Sequence, residues 1–380
     1  MKELNWKKQQ AGYIKKPLFV SYGAFEEKRP VLVDCSFGVN PLEGLYSRNI
    51  LLQTGAAAAH SPDADIIPLA PYAMYPAGGA HGNKKMAAFI ASRWPAVKPE
   101  DLCFAGGSQG CISSLSRILG GSRNKIQGYI PTFIPGLLEF AAVGARVEIT
   151  RLSAPDYAVS AGLLLGFLQD DTTALYLDNP NNPTGHVLPV AEIAVLAKAC
   201  ADRGVLLIVD EAYSDFIDDA NSALNLEDRN IICLRSVSKG CGFAGLRVGY
   251  IVIRDPELRH FYYELGLHFS CSALSADVAA TLLPELDLPS MRKELAALKK
   301  KTLDFIRSCA GFTVAETAAS TPIMLVSSNK TASLYDALME DGIQTEPGKF
   351  FDLGDEAVRL RVPAPSKFEL FCKQWKKAFA

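Results

Sequence analysis

Seven short apolar runs, with helical stretches between several of them, constrain the fold more than any other feature of the chain. They are Asp101 to Ala105, Gly128 to Ile130, Arg146 to Ile149, Ala174 to Leu177, Val205 to Val209, Ile231 to Leu234 and Val248 to Ile253. Each reads as a strand. The clearest helix is Val190 to Asp202, where Val190, Ile193, Ala194 and Ala197 keep a helical spacing and Gly204 supplies a stop. Strands alternating with helices predict a mainly parallel sheet covered on both faces.

Near residue 270 the pattern changes. A charged helix over Met291 to Arg307 carries Leu295, Leu298, Thr302 and Phe305 on one stripe. Strands near Ile323 to Ser327 and Val358 to Val362 flank a helix near Ala332 to Glu340. A last helix from Ser366 carries Phe368, Phe371, Trp375 and Phe379 on one stripe. This predicts an α/β chain with a smaller C-terminal α+β domain.

With 380 residues, 49% of them hydrophobic, the chain can bury a sizeable core and is long for one domain. Lysine and arginine number 39 against 41 acidic residues. That balance argues against nucleic acid or an anionic membrane as the main partner and points to a small molecule. The nine cysteines are scattered without a CxxC pair and read as reduced core thiols, not disulfides or metal ligands. No apolar signal-peptide core follows the polar start, and no run reaches the ~18 apolar residues a membrane span needs, so a cytoplasmic protein is expected.

The segment Asn179-Pro180-Asn181-Asn182-Pro183-Thr184-Gly185 directly follows the strand that ends at Asp178. Alone it is a turn. Downstream by 28 residues from Asn182, an apolar run ends in Asp210-Glu211-Ala212-Tyr213. In a parallel sheet, ligands bind outside the carboxyl ends of the strands, where Asp210 emerges. The next strand leads into Arg235-Ser236-Val237-Ser238-Lys239, and Arg247 follows in Gly245-Leu246-Arg247-Val248-Gly249. A lone lysine after a strand is ordinarily solvated. Hydroxyls and an arginine around it, at the same sheet edge as Asp210, make a site for an anionic group that bonds covalently to an amine.

Asn-Pro-Thr-Gly, Asp-Glu-Ala-Tyr and Ser-x-Ser-Lys with a downstream Gly-Leu-Arg-x-Gly resemble the class I/II aminotransferase family, fold type I enzymes that use pyridoxal 5'-phosphate. The resemblance implies that Lys239 carries the cofactor as a Schiff base and moves protons at the substrate alpha carbon. It implies that Asp210 pairs with the pyridine nitrogen and that Asn182 and Tyr213 bond the ring oxygen. Ser236, Ser238, Arg247 and the turn Gly107-Ser108-Gln109 would hold the phosphate. Phe133 falls where the family stacks an aromatic ring on the cofactor, and Tyr75 where a tyrosine crosses to the phosphate from the second subunit of a homodimer. In Val358-Arg359-Leu360-Arg361-Val362 both arginines share one face, and the family pattern selects Arg361 as the clamp on the substrate carboxylate.

The stretch Asp34 to Leu42, with Asn40, resembles the N-terminal arm of histidinol-phosphate aminotransferases and threonine-phosphate decarboxylases, and Asn40 joins Asn182 among the expected substrate-binding residues. The expected divisions are an arm over 1–45, a large cofactor-binding domain over 46–268 and a small domain over 269–380. The leading expectation is an aminotransferase acting between an amino acid and a 2-keto acid. The alternative is a decarboxylase or lyase acting on a phosphorylated or modified amino acid. A non-catalytic effector-binding module is the third reading.

Overall fold

A computed structural model describes residues 29–36, 42 and 83–380. A short strand, β1 (Val33–Asp34), comes first. Then β2 (Leu102–Ala105), β3 (Lys125–Ile130), β4 (Arg146–Arg151), β5 (Ala174–Asp178), β6 (Leu206–Asp210), β7 (Ile231–Ser236) and β8 (Gly249–Ile253) form one sheet in the order β2-β8-β7-β6-β5-β3-β4. The pairings among β3, β4, β5, β6 and β7 are parallel. β8 alone runs against its neighbours β2 and β7. The carboxyl ends of β2, β3, β5, β6 and β7 therefore reach one edge, together with the amino end of β8.

All residues of β5, β7 and β8 are buried. Alternation sends Leu175, Leu177, Leu207 and Val209 to one face, against Ile193, Leu196 and Ala197 of the helix Val190–Ala201. Tyr176, Ile208 and Ile232 go to the other, against Ile112 and Leu115 of the helix Gly107–Leu119. Two covered faces explain why these strands read as unbroken apolar runs. β3 begins three residues earlier than its apolar run because Lys125 and Gln127 are buried with partners. Lys125 pairs with Asp171, and Gln127 donates to Phe167 O and accepts from Gln169 N.

The last third adds β9 (Phe312–Val314), β10 (Ile323–Ser328), β11 (Ile343–Gln344), β12 (Glu346–Pro347) and β13 (Ala357–Arg361). Four of these strands make an antiparallel sheet in the order β12-β13-β10-β9, and β11 pairs in parallel with β1. β1, β9, β11 and β12 are two or three residues long. Runs that short give no periodic signal, and the sequence does not announce them. The long helix spans Leu288–Ser308, capped by the Asp287 carboxylate, which accepts from Ser290 N at 3.0 Å. Packing passes from the large-sheet core to the second core at Leu286, which touches both, later than the pattern change near residue 270.

One buried cation ties this helix to the functional edge. Lys299 is fully buried, and its three Nζ hydrogens are shared among Thr317 Oγ1 (2.6 Å), Ala318 O (2.7 Å), Thr321 Oγ1 (2.8 Å) and Ile323 O (2.9 Å). Burial pushes its pKa well down, and the oxygens oppose that by solvating the ammonium. Thr321 Oγ1 and Ala318 N in turn donate to Gly185 O at 3.0 and 2.9 Å. Gly185 has φ +74°, and a Cβ there would lie 2.6 Å from Thr321 Oγ1 and 2.7 Å from Thr317 Oγ1, so the turn can dock this closely only as glycine. Lys299→Met leaves the acceptors without their donor and is expected to lower stability by about 3 kcal/mol, read from chemical denaturation. A change under about 0.5 kcal/mol would show the ammonium to be dispensable.

Candidate active site

β5 and β6 are paired so that Asp178 stands beside Asp210, and each ends its strand with a buried carboxylate. The two are solvated differently. Asp178 Oδ1 accepts from Tyr129 OH (2.8 Å), Thr132 Oγ1 (2.8 Å) and Asn181 Nδ2 (2.9 Å), and Oδ2 from Phe133 N (3.0 Å) and Asn182 N (2.9 Å). It thus locks the loop after β3 to the turn after β5. Asp210 Oδ1 accepts from Ala212 N and Oδ2 from Tyr176 OH, both at 3.0 Å. Burial pushes Asp210 up to about 7; the Ala212 amide opposes this, the charge of Asp178 adds to it, and the Tyr176 hydroxyl opposes it. A carboxylate held this high stabilises a cation placed against it.

The Tyr176 hydroxyl reaches Asp210 over a glycine: a Cβ on Gly136, in the helix Ile134–Ala142, would lie 2.5 Å from that oxygen. On β7, the buried Arg235 bonds Glu211 at 3.0 Å and Asp215 at 2.8 Å and lies 4.5 Å from the Trp94 ring centroid. These contacts fix the segments after Asp210 and before Lys239 to each other.

Lys239 follows β7. Its Nζ lies 5.6 Å from the centroid of the Tyr213 ring. Burial brings its pKa down to about 8, helped by the positive charges of Arg359 and Arg247 and opposed by Glu346 and Asp210. At the far end of the site, Ser236 Oγ donates to Ser238 Oγ (2.8 Å), and Arg247 Nη1 donates to Ser238 Oγ (3.2 Å). Arg247 Nη2 donates to Gly106 O (3.2 Å), with the arginine backbone left-handed at φ +53°. The guanidinium lies against Gly107, whose φ is +84° and whose hypothetical Cβ would collide with Nη2. The helix that begins at Gly107 starts beside this cluster, and such a terminus attracts anions.

Ser108, Phe133, Asn182, Asp210, Tyr213 and Lys239 line one open pocket together with Gln109, Ser236, Ser238 and Arg247. Gln109 turns its side-chain amide to Glu139 Oε1 at 2.6 Å. The arrangement fits a phosphorylated aromatic cation with an aldehyde. The pocket's lining carries a cluster of donors, an under-solvated carboxylate and a lysine of lowered basicity. Tyr75 and Asn40 lie outside the described residues.

The two arginines of β13 are held differently. Arg361 Nη2 donates to Asp34 O at the β1 edge, and its backbone N to Cys35 O at 2.8 Å. Arg359, fully buried, sends Nη1 to Asn182 Oδ1 at 2.9 Å and Nη2 to Ser36 O at 2.5 Å. Both arginines share a face of β13, but Arg361 sits beside β1 and is taken up there. Arg359 is the one whose charge acts on Lys239. The sequence alone does not mark Asp178 or Tyr176 as residues of the site. An acid closing an apolar strand was the available signal for Asp178, identical in kind to the one that revealed Asp210.

The family model "Aminotransferase class I and II" matches residues 74–371. The histidinol-phosphate aminotransferase of Methanosarcina mazei is 30% identical over 301 residues, covering 78% of each chain. The aromatic amino acid aminotransferase of Mycolicibacterium smegmatis is 26% identical over 277 residues, covering 72% of this chain and 74% of that one. Among solved structures, the histidinol-phosphate aminotransferase of Sinorhizobium meliloti in complex with pyridoxal-5'-phosphate superposes with a TM-score of 0.77 at 20% identity, covering 96% of this chain and 95% of that one. The L-threonine-O-3-phosphate decarboxylase of Porphyromonas gingivalis gives 0.73 at 18% identity, covering 91% and 99%. The fold is thus shared by enzymes named for different reactions. The chain belongs to the class I and II aminotransferase family of pyridoxal-phosphate enzymes.

Proposed function

We propose that the protein moves an amino group between an L-amino acid and a 2-keto acid, with Lys239 binding the cofactor covalently. The observation that carries this reading is the convergence of Lys239, Asp210, Asn182 and the Ser236–Ser238–Arg247 cluster on one pocket. When bound, pyridoxal phosphate supplies an electron sink for the substrate alpha carbon. Asp210 holds the ring nitrogen cationic, and Tyr176 orients the carboxylate that does so. Asn182 and Tyr213 bond the ring oxygen, Phe133 covers the ring, and Asp178 keeps Phe133 and Asn182 in place. Ser236, Ser238, Arg247 and the amides at Gly107 and Ser108 bind the phosphate. Arg359 binds the substrate carboxylate, and Lys239 Nζ, whose pKa of about 8 suits proton exchange near neutrality, carries the proton at the alpha carbon.

Substrates on this reading are small amino and keto acids. Phe261, Leu265 and Phe269 are exposed close to the helix Gly107–Leu119, where Leu267 N donates to Ser114 Oγ. That apolar surface supports a homodimer. All nine cysteines are unpaired and six are buried, which supports a reducing, cytoplasmic setting. Among the described residues, no helix is long and apolar enough to cross a membrane.

The reading predicts that an amino acid donor converts the cofactor to its amine form, seen by absorbance, and that a 2-keto acid restores it. Carbon dioxide release without keto acid formation would contradict it. Arg359→Leu is expected to raise KM for the amino acid about 100-fold, whereas Arg361→Leu changes it several-fold at most. Capture of cofactor by cofactor-free protein needs the neutral amine of Lys239. Its rate should therefore rise with pH to half its plateau near 8, and the midpoint should move upward in Arg359→Leu, which removes a neighbouring positive charge. Gly107→Ala pushes a methyl group into Arg247 at a positive φ and is expected to weaken cofactor binding about tenfold, measured by fluorescence titration.

A further inference from the structure

β12 pairs with β13 so that Glu346 stands directly opposite Arg359. Opposed residues of an antiparallel pair project to the same face, so Glu346 shares the face from which Arg359 reaches Asn182. Glu346 is 8% exposed, and its Oε1 lies 3.6 Å from Arg359 Nη2, beyond hydrogen-bond length. Among the described residues this is its one ion pair, and no side-chain or backbone donor bonds its carboxylate. Burial pushes its pKa up; the charge of Arg359 lowers it, that of Asp34 raises it and that of Lys239 lowers it. The carboxylate is therefore within electrostatic reach of both the carboxylate clamp and the amine.

An ionised carboxylate has about four acceptor positions, and leaving them unfilled in a buried place is costly. The two Arg359 nitrogens nearest the site already donate to Asn182 and to the Ser36 carbonyl. A donor arriving with the substrate would fill the open acceptors of Glu346, whereas a second anion, such as a phosphate or side-chain carboxylate, would meet like charge at short range. We propose that Glu346 is a specificity-determining residue that accepts hydrogen bonds from a cationic group of the substrate, selecting basic amino acids and rejecting those with an anionic side chain. This rests on the transaminase reading above.

The holoenzyme is mixed with L-ornithine, L-arginine, L-alanine, L-glutamate or O-phospho-L-threonine, and the second-order rate of conversion to the amine form is followed by absorbance. The better cationic donor is expected to exceed both anionic donors by at least about tenfold. That preference should fall below about threefold in Glu346→Gln and reverse in Glu346→Arg. An anionic donor fastest in the unaltered enzyme, no preference for cationic donors, or a preference unchanged in Glu346→Gln would each overturn the proposal. Should the variants not fold, the unaltered enzyme's ranking decides. Calorimetric binding of the same amino acids to the holoenzyme separates the two readings. Tightest binding of cationic donors without conversion upholds Glu346 and contradicts transamination, while conversion without cationic preference does the reverse.

Discussion

A carboxylate taken out of water must be solvated by the protein, and the unequal way in which two neighbouring strand ends meet that demand organises the whole site. Asp178 and Asp210 lie side by side in register, both buried. Asp178 receives donors from β3, from the loop after β3 and from its own turn, and so becomes a structural knot. Asp210 receives two and keeps acceptor capacity facing the pocket. The same residue type at equivalent places thus does two jobs, set by the number of donors around each.

The parallel sheet makes this possible. Because β2, β3, β5, β6 and β7 run one way and β8 returns beside them, the Gly107 turn, Phe133, Asn182, Asp210, Ser236 and Arg247 all emerge at one edge. The second sheet contributes Arg359 and Glu346 from β13 and β12. It is held against the Asn181–Gly185 turn by the buried ammonium of Lys299 and its threonine partners. The hydrogen bond from Arg359 to Asn182 joins the two sheets at this edge.

Much of this was legible in the sequence. Buried parallel strands show as apolar runs, and the residues that close them, Asp210 and the Ser236 to Lys239 segment, follow directly. Other residues were hidden for identifiable physical reasons. Period-two alternation puts Arg359 and Arg361 on the same face and cannot say which is taken up by β1, a strand of two residues. Lys299 sits in a run of three lysines that reads as a solvated helix face, and its burial depends on a loop that returns about twenty residues later. Tyr176 reads as one more apolar strand residue, because its hydroxyl matters only through Asp210 on the next strand and Gly136 beneath it. Glu346 lies in a two-residue strand with no pattern of its own, and its position is evident only from the register with β13.

Every role proposed for the pocket requires Lys239 to be the residue that binds the cofactor. Borohydride reduction of the holoenzyme followed by peptide mapping tests this directly. A pyridoxyl group on the peptide containing Lys239, absent from Lys239→Ala, is the predicted result; a modified peptide from elsewhere in the chain, such as that of Lys299, or no modified peptide, would contradict it.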